Sequence, residues 1–536
     1  MQATLLTFQQ QAVAALRGVG NFSAGLLQRF LALDKKTATL LLVALLPSLY
    51  AFYRALKYVV LKLVPVKVYV RDFAVFQTND PAWKYSNTQM LEKSQNTGLS
   101  GKSLNFIRKL SRNNGIGKHV SYPPQVFTSS RSVEDARDEA RSVIFPTVKE
   151  LLEKTGIKAS QIDVLVTNSS LFVPTPSLSS MIINEFKMKK DIHNFSLGGM
   201  GCSASPLGVD VVQAFLRDRN MKYAILVSTE VLTQHFYYEG NDLSMLLPHT
   251  LFRAGCSAVL FTNVNYKCKY ELRHIVRTHI GADDCAHNCI SQSVDAERTP
   301  GIRLEKSIIK NAQKAIMLNA PKVLGKVLSI DLKISYVLGR CFQYINWILQ
   351  TRVRKIQTTY PKFQLPNFKK AVQNFCIHTG GRGVLDSLQE QFGLSDELIA
   401  ASRASLYMYG NTSSASIWYE LAYHEHTGAV KKGNTVWQVA FGSGFKCNSI
   451  ILKALKTVTK ETRTLFDRFN PDYVFDPKEV ERDVISPEMM KADFEKIAAE
   501  NQKTRDDAEW EKVKLKFMDR ILGEHAVDKE TPETSK

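Results

Sequence analysis

The sequence predicts an α/β protein whose core is built from two related halves, and three observations carry that prediction. Short apolar runs of strand length alternate with helix-period stretches from about residue 66 to 455. The same strand–turn–helix punctuation occurs twice at one offset. Uncharged apolar text precedes this region and a highly charged tail follows it, so the alternating part stands apart from both ends.

From the N-terminus, residues 1–33 have an amphipathic pattern, and the 17 residues Thr37–Tyr53 carry no charge and follow Lys35-Lys36. That length is near the lower limit for a spanning helix. Apolar text resumes beyond Arg54 and Lys57, so residues 1–65 are expected to be an amphipathic and transmembrane anchor, as one long span or a tight hairpin. A buried core helix is the alternative. No small-residue cleavage site follows, which argues against a secretory signal. Arg54, Lys57, Lys62, Lys67 and Arg71 favour a cytosolic body. Residues 66–310 read as the first half, with strands at Val164-Leu165-Val166 and Tyr223 to Val227 and a helix from Pro206 to Phe215. Within 311–360, the stretch 321–358 mixes long apolar side chains with lysine and arginine. It is either a cap resting on a membrane or an amphipathic helix pair packed on the core. Residues 361–455 read as the second half, with strands at Phe375-Cys376-Ile377 and Val436 to Ala440 and a helix from Ile417 to Tyr423. Residues 456–536 are expected to be a charged helical tail ending in disorder.

Bulk properties narrow the function classes. A 536-residue chain with 44% apolar and 23% charged residues can bury a large core and is not disordered. Its eight cysteines are scattered, which fits a reducing compartment rather than a disulfide scaffold. The net charge of +19 asks for an anionic partner. Zinc-finger spacing, a glycine-rich aromatic RNA-binding signature and a long basic helix are all missing, so nucleic acid is not expected. An anionic leaflet and the phosphates of a nucleotide-bearing thioester such as coenzyme A remain.

The internal repeat points to the chemistry. Gly201-Cys202-Ser203-Ala204-Ser205 opens an apolar helix after a short strand, and Gly410-Asn411-Thr412-Ser413-Ser414 does the same at an offset of 209 (411 − 202). The same offset carries Ser169, at one strand end, onto His378 at another (378 − 169). Cys202 at a helix N-terminus meets unpaired N–H groups and the macrodipole, which favour a thiolate. A small buried cysteine at a tight turn is the plainer reading. His378 alone reads as a structural histidine and Asn411 alone as a helix N-cap. Together, at equivalent strand ends, they form a coherent thioester site. Gly444, in Phe441-Gly442-Ser443-Gly444-Phe445 after an apolar strand, can offer a backbone N–H to an oxyanion. Cys285-x-His287-x-Cys289 has too few ligands to argue for a metal, so none is expected, and Cys447 is expected to be a packed thiol.

At these residues the sequence resembles the plant-type 3-ketoacyl-CoA synthases, the condensing enzymes of fatty-acid elongation. The matching text includes LFVPTPSLSSMIINEFKM (171 to 188), NFSLGGMGCSAS (194 to 205), SMLLPHTLFRAG (244 to 255) and VRTHIGADD (276 to 284). It continues through FCIHTGGRGVLD (375 to 386), YGNTSSASIWYELAY (409 to 423) and FGSGFKCNS (441 to 449). The resemblance covers roughly residues 66 to 455; the charged tail is longer than the family pattern, and the N-terminal apolar text is less clearly a pair of spans. It implies a thiolase-like duplicated core layered α-β-α-β-α with N-terminal membrane-anchoring helices. It also implies that Cys202 takes an acyl group from a long-chain acyl-CoA and passes it to decarboxylated malonyl-CoA, with His378 and Asn411 supporting the enolate and no cofactor. His274 and His279, inside matching text, are possible supporting residues. A homodimer at the endoplasmic reticulum membrane, with elongase reductase and dehydratase partners, belongs to the same implication. A polyketide-type or hydroxymethylglutaryl-CoA synthase, or a non-catalytic scaffold, are the competing readings.

Overall fold

The computed structural model describes residues 65–458 except 79, 86–88, 91–98, 118–119, 128–130, 238–239 and 356–367, together with Tyr50 and residues 474–478. The anchor expected over 1–65 and most of the tail expected over 456–536 lie outside these residues. Among the described residues no helix is long and apolar enough to cross a membrane.

The strands of the first half are β1 (Val68–Val75), β2 (Lys84–Tyr85), β3 (Val120–Ser121), β4 (Val164–Asn168), β5 (His193–Leu197), β6 (Tyr223–Glu230) and β7 (Gly255–Thr262). They continue with β8 (Tyr270–His279), β9 (Ile290–Val294), β10 (Pro300–Leu304), β11 (Asn374–Ile377), β12 (Thr435–Gly442) and β13 (Lys446–Ala454). The helices begin with α1 (Gly101–Asn113), α2 (Val133–Thr155), α3 (Leu178–Phe186), α4 (Ala204–Leu216) and α5 (Leu243–Leu251). They end with α6 (Asp284–Asn288), α7 (Ile308–Val327), α8 (Ile330–Ile348), α9 (Arg382–Phe392), α10 (Asp396–Tyr409) and α11 (Ser416–His426).

Nine strands form one sheet in the order β11-β12-β13-β8-β1-β7-β6-β4-β5. Pairing is parallel between β4 and each of β5 and β6, and between β11 and β12; the other ladders are antiparallel. The two halves meet where β1 pairs with β8, over Val68 to Val70 and Tyr270 to Leu272. Strands covered on both faces need no polar alternation, and β4 and β7 are buried at every position.

The middle of the molecule is made by α4 and α11. Helix α4 packs on β4 and β6 and also on β13, while α11 packs on β1 and β7 and also on β11 and β12. All eleven residues of α11 are buried, which is why SIWYELAYHEH shows no solvent-facing side. The indole N–H of Trp418 donates to Ser205 Oγ at 2.8 Å and ties the two helices together. Helix α2 covers the outer face of the first half through Ala136, Val143, Ile144 and Val148, and α7 and α9 cover the second through Ala315, Ile316, Val323 and Leu385. The result is helix, sheet, helix, sheet, helix.

The repeat is less regular than the sequence suggests. The last residues of β4 and β11 keep the offset of 209 (377 − 168). The short turns that lead into α4 and α11 begin at Gly201 and Ser413, an offset of 212 (413 − 201). Both opening residues have left-handed backbone, φ 67° at Gly201 and φ 54° at Ser413. The local twin of Cys202 is therefore Ser414, and Asn411 stands three residues ahead of that position.

A charged cluster is buried beside the junction of the halves. Lys269, just before β8, lies 2.8 Å from Asp72 of β1 and 2.7 Å from Glu425 of α11. Tyr270 donates to Glu425 at 2.7 Å. Burial opposes the Lys269 charge, but Glu425 and Asp72 outweigh it and hold the ammonium above its usual range. Two segments depart from the packed frame. In the tail, Phe475 packs against Tyr407 and donates its backbone N–H to Tyr423 Oη at 2.9 Å. Helix α8, by contrast, has no buried residue.

Candidate active site

The turn that carries Cys202 is clamped from two sides. Gly201 donates its N–H to Ser170 Oγ at 2.8 Å, and the loop after β12 lies against the turn. A Cβ on Gly201 would come within 2.4 Å of Ser443 N, and one on Gly442 within 2.5 Å of Ser203 Oγ. Only glycine allows backbones to approach this closely. Cys202 keeps partial exposure at the head of α4, with its thiol directed at the opposite turn, where Ser413 Oγ lies 3.4 Å from Sγ.

Ser413 gathers the other groups. Its backbone N–H donates to Asn411 Oδ1 at 2.9 Å. That contact fixes the amide orientation, because an N–H needs an oxygen acceptor, and it leaves the Asn411 NH2 as a donor. The Ser413 carbonyl accepts from Ser416 Oγ at 3.0 Å, and Ser416 Oγ is 2.6 Å from His378 Nδ1. A hydroxyl has one proton. With that proton on the Ser413 carbonyl, Ser416 accepts from His378 Nδ1–H and leaves Nε2 as the basic nitrogen. Cys202, His378 and Asn411 are thus joined through Ser413 and Ser416, at the N-terminus of α11.

A carboxylate completes the cluster. Glu230, the last residue of β6, accepts through Oε1 from Ser169 Oγ at 3.0 Å, Ser170 N at 2.9 Å and Leu171 N at 2.8 Å. Its Oε2 lies 2.9 Å from Ser413 Oγ. The single Ser413 hydroxyl proton can go to Glu230 Oε2 or to Cys202 Sγ, and on the sulphur it favours the thiolate. The electrostatics correct the expectation of a resting thiolate. Burial first, and Glu230 in addition, push the Cys202 thiol up to about 12, although Ser413 works the other way. Burial alone pushes His378 down to about 3. Desolvation outweighs the helix terminus, so the site rests as a neutral thiol and a neutral imidazole.

The remaining candidates sort by distance from this cluster. The Gly444 loop reaches it through Gly442 and Ser443. His279, at the end of β8, borders that loop: a Cβ on Gly444 would lie 3.5 Å from its Nε2. Its Nδ1 accepts from Gly281 N at 3.0 Å. His274 is half-buried in the same strand, paired with Ile451 of β13 and away from the loop. Cys447 is buried in β13, where burial pushes its thiol well up. Cys285 and His287 lie on α6 with Cys289 just after it, and the described residues contain no group of three ligands able to hold a metal. Sequence reasoning missed Glu230, Ser413 and Ser416. An acid closing the apolar strand YAILVSTE was the one visible signal; serines within a serine-rich string gave none.

Comparison with known proteins bears on residues 60–454. Residues 60–343 match the family described as "FAE1/Type III polyketide synthase-like protein" and residues 368–454 the one described as "3-Oxoacyl-[acyl-carrier-protein (ACP)] synthase III C terminal". The chain is 42% identical over 369 residues to the 3-ketoacyl-CoA synthase 5 of Arabidopsis thaliana, covering 67% of this chain and 72% of that one. It is 41% identical over 400 residues to the 3-ketoacyl-CoA synthase 4 of the same plant, covering 74% and 75%. Among solved structures, PKS-I from the brown alga Ectocarpus siliculosus aligns with a TM-score of 0.55 at 18% identity, over 73% of this chain and 99% of that one. A type III pentaketide synthase from Neurospora crassa gives 0.56 at 17% identity, over 72% and 99%. At those identities the likeness is one of fold, and the layered arrangement described above is the one shared.

Proposed function

The chain belongs to the 3-ketoacyl-CoA synthases within the FAE1/type III polyketide synthase-like family, and from that membership we propose that it is a condensing enzyme of very-long-chain fatty-acid elongation. The substrates are a long-chain acyl-CoA and malonyl-CoA; the products are a 3-ketoacyl-CoA two carbons longer, carbon dioxide and CoA. Cys202 Sγ attacks the acyl thioester carbonyl as His378 Nε2 takes its proton. The carbonyl's bond to the CoA sulphur breaks, and CoA leaves as the thiol with that proton. Malonyl-CoA then loses carbon dioxide to give a thioester enolate. Asn411 NH2 donates to the enolate oxygen. After CoA has left, His378 exchanges its Nδ1 proton for one on Nε2 through water, the Ser416 hydroxyl turns to donate to Nδ1, and the Nε2–H becomes the second donor. The enolate carbon attacks the acyl–Cys202 carbonyl, and the cysteine sulphur leaves and takes from water the one proton that the overall reaction consumes. The N–H groups of Cys202 and Gly444 are the proposed donors to the tetrahedral oxyanion. No metal or redox group enters this scheme.

The observation that carries the reading is the convergence of Cys202, His378 and Asn411 on Ser413 and Ser416 between the two central helices. A neutral cysteine–imidazole pair suits thioester exchange, since the proton moves only when substrate arrives. The deciding experiment is an elongation assay on membranes carrying wild-type protein or Cys202→Ala, with labelled malonyl-CoA and a panel of acyl-CoA primers. Two-carbon extension by wild type and its loss in the variant is the expected result. Equal product from both would remove Cys202 as the nucleophile.

The same family membership supports a homodimer and reductase and dehydratase partners. Family membership likewise supports the endoplasmic reticulum, and the apolar stretch 37–53, followed by basic residues, supports a membrane anchor with the catalytic body on the cytosolic face.

A further inference from the structure

Helices α7 and α8 are consecutive and both amphipathic, yet they are used in opposite ways. Helix α7 buries Asn311, Ala312, Ala315, Ile316, Asn319, Ala320, Val323 and Leu324 against the sheet. Helix α8 buries no residue, and large apolar side chains stand among its exposed ones. Ile330, Leu338 and Phe342 are 71%, 64% and 72% exposed, and Ile334, Val337, Ile345 and Leu349 are also exposed. The partly covered positions are Leu332, Lys333, Tyr336, Arg340, Trp347 and Ile348, and Leu332 packs against the core. At 100° per residue the exposed set forms one stripe, from Ile330 to Leu349, about 28 Å long at the helical rise. A helix in water turns its apolar side inward, whereas this one leaves a stripe of large apolar side chains exposed.

We propose that the exposed face of α8 lies in the surface of an anionic bilayer, as a contact additional to any N-terminal anchor. Charge selects this occupant. Between Lys322 and Lys355 there are seven cations (Lys322, Lys326, Lys333, Arg340, Arg352, Arg354, Lys355) and one anion, Asp331. Two copies of the chain face to face across this stripe would set like charges against each other, whereas acidic headgroups complement them. The helix is not apolar and long enough to span; an amphipathic helix flanked by basic segments rests in the interface. This partner deepens the membrane reading proposed above. It divides the 321–358 stretch, with the cap on α8 and the core packing on α7.

The test uses the full chain in vesicles, with one fluorophore at Leu338, Phe342 or Ile345, or on the other side at Lys333 or Gln343. Since α8 buries no side chain, labels there leave the core intact, and circular dichroism checks this. In vesicles containing phosphatidylserine, a lipid-borne quencher is expected to dim the apolar-side labels several-fold more than the other two. Aqueous iodide is expected to show the reverse. Equal iodide quenching on both sides would overturn the proposal. So would protection from both quenchers with energy transfer between labelled chains, which would identify a second copy as the cover. Equal lipid quenching in pure phosphatidylcholine would overturn the anionic preference. The label positions report location whether or not the protein elongates acyl chains, so failure of the catalytic reading would be seen separately.

Discussion

Glu230 is the residue whose removal says most about Cys202. It lies at the other side of Ser413 from the thiol, and its negative charge adds to burial in holding the thiol protonated. Glu230→Gln keeps an acceptor for Ser170 N and Leu171 N and removes the charge. The Cys202 pKa then falls, so the thiolate fraction at any neutral pH rises. The pH profile of iodoacetamide alkylation of Cys202 should shift to lower pH, with a several-fold faster rate at pH 7. An unchanged profile would mean that Glu230 carries no charge there and that burial alone sets the thiol. Cys202, His378 and Asn411 were legible in the sequence because each stands at the end of an element beside turn-forming glycines or serines. Glu230, Ser413 and Ser416 were not. A carboxylate's burial and a hydroxyl's partners depend on groups brought in from other strands.

At the scale of elements, close backbone contact keeps the glycine loop in place. Gly281 follows β8, and a Cβ there would fall 1.7 Å from the Gly444 carbonyl oxygen and 2.5 Å from His279 Cε1. Gly281→Ala must therefore push the loop away from the strand, and the loop is what backs the Cys202 turn. The expected outcome is a fall in kcat/KM of ten-fold or more, with a change in melting temperature of only a few degrees, measured by the elongation assay and calorimetry. Full activity would show that the loop can move without consequence. Element types were legible from periodicity, but their surroundings were not. Helices α7 and α8 share one pattern, and a 3.6-residue repeat reports an apolar side without saying whether protein or lipid covers it. The repeat offset likewise held at the ends of β4 and β11 and slipped by three residues in the turns that follow, where no periodicity constrains length.

The whole molecule depends on a short junction. The halves share one sheet through the few paired residues of β1 and β8, and Lys269 reinforces that join by binding Asp72 from one side and Glu425 of α11 from the other. Burial pushes the Glu425 carboxyl up and Lys269 opposes this, while Lys269 and Lys154 outweigh burial at Asp72 and hold it low. Lys269→Met strands two carboxylates beside each other and should cost about 3–5 kcal/mol, read from the denaturant midpoint. A loss below about 1 kcal/mol would mean that water or a proton compensates. A duplicated α/β fold was legible because both halves carry the same punctuation. The sheet order was not, since it rests on which edges meet, and this junction of three residue pairs leaves no pattern in the chain.

The twin turns have a stoichiometric consequence. Ser414 occupies, ahead of α11, the place that Cys202 occupies ahead of α4, but its hydroxyl is buried and given to Asn168 Oδ1. The two copies of one turn have divided the work: one keeps a sulphur partly exposed, the other holds a strand end. On the proposed chemistry a chain with a duplicated frame therefore carries one acyl group at a time. Every turnover must clear that single sulphur before the next primer can load.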